Sequence, residues 1–178
     1  VNGAAGTGKT MIAVEKASRH AAEGETVLFL CFNSKLKDYL EENYPNELVA
    51  YYTIAGFACR LCNSVAPDFE RAKSKLEDYY ISGNFPFKHV IIDEGQDFGV
   101  DVIEEADIIS LIHDIIVDND TGGTFYVFYD RLQLVQARAM PKFIENLDCR
   151  LTLYRNCRNT ENIALTSLRP ITERKPKL

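Results

Sequence analysis

Two short stretches hold residues whose types and spacing could do chemistry. The first, Gly3-Ala4-Ala5-Gly6-Thr7-Gly8-Lys9-Thr10, fits G-x-x-x-x-G-K-[ST], the phosphate-binding P-loop or Walker A pattern. Three glycines let the chain curl with several N–H groups turned inward, a nest for an anion. A helix starting at about Gly8 adds its positive end to the same spot. Lys9 is placed to reach the β- and γ-phosphates of ATP, and the Thr10 hydroxyl to ligate Mg²⁺. The bland alternative is a glycine turn ahead of a helix, but the pattern arises by chance in roughly one chain of this length in a hundred. The second stretch is Asp93-Glu94, which closes the apolar run His89–Asp93. Binding phosphate is not hydrolysing it: hydrolysis needs a further acid to hold Mg²⁺ and a group to orient water. Asp93, at the carboxyl end of a buried strand, suits the metal, and Glu94 suits the water. The competing reading is that both acids cap the helix that follows.

The elements that must position these groups alternate along the chain. Thr10 to about Ala22 reads as a helix with Met11, Ile12, Val14 and Ala17 apolar and Gly24 placed to end it. Thr26–Phe32 is a continuous apolar run, as expected of a strand covered on both faces. A helix capped by Asn33 or Ser34 runs to about Glu42, followed by a strand at Leu48–Thr53, a short helix at Ile54–Asn63, and a polar helix from Pro67 to Tyr80. His89–Asp93 is the third strand, and a long apolar helix spans about Val100 to Val117. Further strands are expected at Thr124–Tyr129 and Cys149–Leu153, and a last helix at Thr160–Ser167. Arg131–Asp148 is a long, irregular link. Strands alternating with helices imply right-handed crossovers, hence an α/β fold with a parallel sheet flanked by helices on both faces.

With 178 residues, one domain with one sizeable core is expected. A formal charge of −6 argues against non-specific coating of nucleic acid, so any such contact must be local. The basic stretch 169–178 reads as a linker. Five cysteines form an odd set with one C-x-x-C, Cys59 to Cys62, which reads as two core residues one helical turn apart; the usage suits a reducing cytoplasm. The three histidines are scattered and match no metal spacing. No stretch is apolar for long enough to cross a membrane. The aromatics Tyr51, Tyr52, Phe57, Phe125, Tyr126 and Phe128 read as core, while Phe98 and Tyr129, just past strand ends, are the better candidates for stacking on bases.

Asp93-Glu94-Gly95-Gln96-Asp97 resembles motif II, D-E-x-Q-D, of the UvrD/Rep-like superfamily 1 helicases. Other matches follow in the family's order. Val27–Asn33 with Lys35 resembles motif Ia, Tyr129-Asp130-Arg131-Leu132-Gln133 motif III (with Tyr129 in place of glycine), and Leu153–Arg158 motif IV, L-x-x-N-x-R. Thr53-Ile54-Ala55-Gly56-Phe57 stands where the family tends to have T-F-H-S. The resemblance implies a P-loop NTPase with a RecA-like sheet, in which the strand before Gln133 sits between the P-loop strand and the Asp93 strand. It implies that Gln133 and Arg158 sense the γ-phosphate, that Gln96 and Asp97 couple the nucleotide site to its neighbours, and that Asn33, Lys35 and Thr53 contact single-stranded DNA or RNA.

The expected activity is therefore ATP hydrolysis with Mg²⁺ in a DNA helicase-like motor. Residues 1–168 would form its first RecA-like domain, with the first strand truncated, and 169–178 would lead toward a second RecA-like domain. A complete site lies between two such domains, so weak ATPase is expected of this chain alone. An ATP-dependent clamp or remodelling switch without unwinding is the alternative, and a P-loop kinase acting on a small molecule a more distant one.

Overall fold

In chain order the elements are β1 (Asn2–Gly3), α1 (Lys9–Ala22), β2 (Val27–Cys31), α2 (Ser34–Asn43), β3 (Val49–Thr53), α3 (Ile54–Cys62), α4 (Phe69–Ser82), β4 (His89–Ile92), α5 (Ile103–Asp118), β5 (Thr124–Val127), α6 (Arg131–Leu134), α7 (Lys142–Glu145) and β6 (Thr152–Leu153). They come from a computed structural model that describes residues 1–99, 102–118, 122–134, 142–145 and 147–157. The helix expected at 160–167, the stretch 169–178 and Arg158 lie outside the described residues.

Four strands form a parallel sheet in the order β3-β2-β4-β5, with Phe29 of β2 level with Tyr51 on one side and Ile91 on the other. A second parallel pair, β1-β6, meets its edge. Asn2 bridges to Tyr129 just beyond β5; Tyr129 N–H donates to Val1 O at 3.0 Å and Gly3 N–H to Tyr129 O at 3.2 Å. The strand before Gln133 thus lies between the glycine-rich strand and the Asp93 strand, as the sequence resemblance implies.

The two-residue period of the strands sorts their side chains onto two layers. Leu28, Leu30, Val90, Ile92 and Val127 pack with Phe57 of α3, Leu76 of α4, Ile109 and Ile112 of α5, and Ile144 of α7. Val27, Phe29, Cys31, Ile91 and Phe128 pack on the opposite face with Ala13, Val14 and Ala17 of α1 and Leu40 of α2. Helices therefore cover both faces, which is why β2 and the Val90–Ile92 part of β4 are unbroken apolar runs, with every residue of both strands buried. Each fully buried Leu, Ile or Phe contributes about 2 kcal/mol.

Among the described residues three helices carry side-chain caps: Asn33 Oδ1 accepts from Leu36 N–H at 2.9 Å, Thr53 Oγ1 from Gly56 N–H at 3.1 Å, and Asp68 Oδ1 from Arg71 N–H at 3.0 Å. The Asp68 cap starts α4 at Phe69 rather than at Pro67. The last strand is shorter than the expected Cys149–Leu153, because β1 offers only two residues to pair with, and Cys149, Arg150 and Leu151 stay exposed. The link expected to be irregular holds two single helical turns, α6 and α7, and buries Phe143 and Ile144. Cys59 and Cys62 lie on α3 with Cys62 in the core, as expected. Among the described residues no helix is long and apolar enough to cross a membrane.

Candidate functional site

All strands are parallel, so their carboxyl ends share one edge, where open α/β sheets place ligands. From that edge leave Gly3–Thr10 after β1, Asn33 after β2, Thr53 at the end of β3, Asp93–Asp97 after β4, Asp130–Gln133 after β5, and Asn156–Cys157 after β6.

Gly6 and Gly8 adopt left-handed backbone, at φ 82° and 85°, which bends the chain tightly into α1. Every carbonyl from Gly3 to Gly6 is engaged. Lys9 Nζ donates to Gly3 O at 2.8 Å and Ala4 O at 3.3 Å, and Thr7 Oγ1 to Ala4 O at 2.8 Å. Asn156 Nδ2 donates to Ala5 O at 3.1 Å and Cys157 N–H to Gly6 O at 2.8 Å. The loop's carbonyls are thereby tied down, and the first-turn N–H groups of α1 have no intrahelical partner. A Cβ built on Gly8 would meet nothing within 4 Å, so the mouth of the loop is open.

Asp93 is fully buried; its Oδ1 accepts from Glu94 N–H at 3.1 Å, and its Oδ2 has no hydrogen-bond partner. Burial pushes its carboxyl up to about 6; the nearby Thr10 hydroxyl, the Glu94 N–H and the Lys9 ammonium pull against that rise, and the Glu94 carboxylate adds to it. Thr10, Lys9 and Asp93 thus come together, although 83 positions separate Thr10 from Asp93. Glu94 sits at φ 57°, a conformation costing a non-glycine residue about 1 kcal/mol or more. Gly95 follows because β5 leaves no room: a Cβ there would lie 2.4 Å from Val127 Cγ1. Two further acids are pushed above their ordinary range by burial, Asp97 and Asp130, and each is raised further by Glu94. Lys9 offsets part of this at Asp130. Among the described residues, buried Asp93 and Asp130 and half-buried Glu94 and Asp97 outnumber the Lys9 ammonium, so this part of the site is short of positive charge.

Gln96, buried, joins these groups. Its Oε1 accepts from Asp130 N–H at 2.9 Å, which fixes the amide's orientation. Its Nε2 then faces Glu94 Oε2 at 2.7 Å, Gln133 Oε1 at 3.0 Å and Asp97 Oδ2 at 3.3 Å. Glu94 and Gln133, 39 positions apart, are therefore two ends of one amide bridge.

Of the expected nucleic-acid contacts, the side-chain oxygens of Asn33 and Thr53 are taken up as helix caps, and Lys35 is exposed beside Asn33. The expectation that Phe98 and Tyr129 face a groove is corrected. Both are buried, 0% and 3% exposed, Phe98 under the first turn after β4 and Tyr129 in the ladder to β1. An exposed aromatic at this edge is Phe32, 40% accessible, its ring standing edge-on to Phe98 at 5.7 Å. Sequence reasoning gave Asp130 no role of its own and missed the grip of Asn156 and Cys157 on the loop. Asp130 carried a signal, an acid opening the D-x-x-Q match, and Asn156 one as the asparagine of the L-x-x-N-x-R match; the Cys157 backbone contact across 151 positions carried none.

Searched against known proteins, the chain matches no family model and no curated relative. The functional reading therefore rests on the residues themselves.

Proposed function

We propose that the chain is a RecA-like P-loop domain that binds and hydrolyses ATP, in a superfamily 1 helicase-like motor that couples turnover to movement on nucleic acid. The observation that carries the reading is the meeting of Lys9, Thr10 and the buried, half-unpartnered Asp93 at the carboxyl edge of a parallel sheet. The residues fit a divalent cation, because the orphaned Asp93 Oδ2 lacks a positive partner and the Thr10 hydroxyl adjoins it. Asp93 and Thr10 would hold Mg²⁺, which, when bound, offsets phosphate charge.

The chain's own groups have separable tasks. The Gly3–Thr10 backbone would cradle the phosphates, and the Lys9 ammonium would exchange the Gly3 and Ala4 carbonyls for phosphate oxygens. Glu94, held through Oε2 by Gln96, would orient a water and take its proton. The water oxygen bonds to the γ-phosphorus as the bond to the bridging oxygen breaks, and ADP leaves with that electron pair. Gln133, on the same amide bridge, would register the loss of the γ-phosphate, and Arg158 would offset charge on it as the resemblance implies.

Lys9→Ala should abolish ATP binding, whereas Glu94→Gln should bind ATP normally and lose turnover. Equal loss of binding in both variants would refute this division of roles. A nucleic-acid switch that does not unwind is favoured by one observation, the use of the Asn33 and Thr53 oxygens as helix caps. A strand-separation assay beside an ATPase assay on the full-length protein separates the two readings.

A further inference from the structure

At the amino edge of the same sheet, far from the glycine-rich loop, residues remote in sequence converge. His20 lies in the last turn of α1, Glu25 on the connection to β2, His89 opens β4 and Thr124 opens β5. Both imidazoles are buried, 8% and 2% exposed, and stack with centroids 3.6 Å apart. On one side of the stack is a single carboxylate oxygen: Glu25 Oε2 is 2.5 Å from His89 Nε2 and 3.6 Å from His20 Nδ1, while Oε1 pairs with Lys88. On the other side is a single hydroxyl: Thr124 Oγ1 is 2.7 Å from His89 Nδ1 and 3.5 Å from His20 Nε2.

This network sets the tautomers. A carboxylate only accepts, so His89 carries its proton on Nε2, and its Nδ1 accepts from the Thr124 hydroxyl. The Thr124 oxygen accepts in turn from His20 Nε2–H. His20 Nδ1 is left as a buried lone pair with no hydrogen-bond partner. It faces the Glu25 carboxylate, with Glu23 Oε2 at 3.9 Å on the exposed side. Three acceptors, His20 Nδ1, Glu25 Oε2 and Glu23 Oε2, thus converge beside one donor, the His89 Nε2–H, and a cation that displaced that proton would find four ligand atoms.

The geometry points to a binding site for a zinc-class divalent ion, held by His20, Glu25 and His89 with Glu23 as the fourth ligand. The ligand atoms of the first three lie within 4.8 Å of one another, and the 2.5 and 3.6 Å from Glu25 Oε2 to the two ring nitrogens bracket the spacing of about 3.3 Å that a tetrahedral ion imposes on its ligands. Imidazole nitrogens with carboxylate oxygens suit zinc rather than magnesium. Binding requires the rings to splay slightly and the His89 proton to move from Nε2 to Nδ1, with no net proton released. Both rings then direct their outer N–H groups at the Thr124 oxygen, and these hydrogen bonds hold the ligating histidines in orientation. The ion would pin the far end of α1 to the starts of β2, β4 and β5. This site does not depend on the proposed function.

The test is titration of the metal-stripped full chain with Co²⁺ in excess Mg²⁺, followed by displacement with Zn²⁺. One equivalent of Co²⁺ should bind with the visible bands of a four-coordinate nitrogen–oxygen site and no thiolate charge-transfer band. Zn²⁺ should raise the melting temperature. His20→Asn and Glu25→Gln should lose both signals, Thr124→Val should weaken binding by about 10–100-fold, and Asp93→Asn should change neither. Should His20→Asn fail to fold, Glu25→Gln, on the α1–β2 connection, decides the question. A thiolate band, binding that survives Glu25→Gln, or no binding at millimolar Co²⁺ (a slot that takes only a proton) would overturn the proposal.

Discussion

Asp93 is costly to keep ionised in the metal-free protein, and the cost can be measured. Burial lifts its carboxyl from 3.8 to about 6, and a gap of about 2 pH units corresponds to ~3 kcal/mol. Between those two values the folded chain holds a proton that the unfolded chain releases. Stability therefore falls as pH rises through that window, and the whole penalty is present above about pH 7. Asp93→Asn removes the charge but adds an amide donor beside the Thr10 hydroxyl, at about 1 kcal/mol if unsatisfied. In metal-free buffer the variant should be more stable than the parent by about 2 kcal/mol near pH 7.5, or about 4–8 °C in melting temperature. Near pH 5 roughly half the ionisation penalty is gone, and the advantage should shrink to about 0.5 kcal/mol. With no tryptophan in the chain, urea unfolding followed by far-ultraviolet circular dichroism at both pH values is the direct assay. Mg²⁺ with nucleotide at about 100 times its dissociation constant should stabilise the parent by about 2.7 kcal/mol and the variant far less. A variant less stable than the parent at pH 7.5, or a difference that ignores pH, would refute the reasoning.

Gly95→Ala forces a methyl to 2.4 Å from Val127 Cγ1, so it should destabilise the chain by about 1–3 kcal/mol and lower turnover; an unchanged melting temperature would show that β5 can yield. Gln96→Met strands Asp130 N–H and frees the Glu94 carboxylate, so ATP binding should persist while turnover drops and stability falls by about 1–3 kcal/mol in chemical denaturation. Asn33→Ala removes the α2 cap and should cost about 1 kcal/mol whether or not nucleic acid is present; an effect on nucleic-acid affinity alone would return Asn33 to the binding surface.

The elements that could be read from sequence are those whose signal is local. The glycine spacing marks the loop, and the apolar runs at Thr26–Phe32 and His89–Asp93 mark strands covered on both faces because alternation is absent there. Asn33 is legible in sequence as a helix cap, and the structure keeps it in that role, whereas the Thr53 cap is not, since capping and nucleic-acid contact both want a small polar side chain after a strand. Phe98 and Tyr129 were misjudged because position past a strand end does not report on what the tertiary structure folds over it. His20, Glu25 and His89 are unremarkable in sequence; only the return of α1 and the start of β4 at one edge brings the two rings into contact. The bridge through Gln96 likewise depends on β4 and β5 being neighbours, a fact of topology rather than composition.

The Cys157 amide hangs from the Gly6 carbonyl at 2.8 Å, on the outer wall of the loop that would enclose phosphate. Its hydrogen therefore exchanges with solvent only when that wall gives way. One proton, remote in sequence and touching no ligand, becomes a gauge of how firmly the cradle is shut.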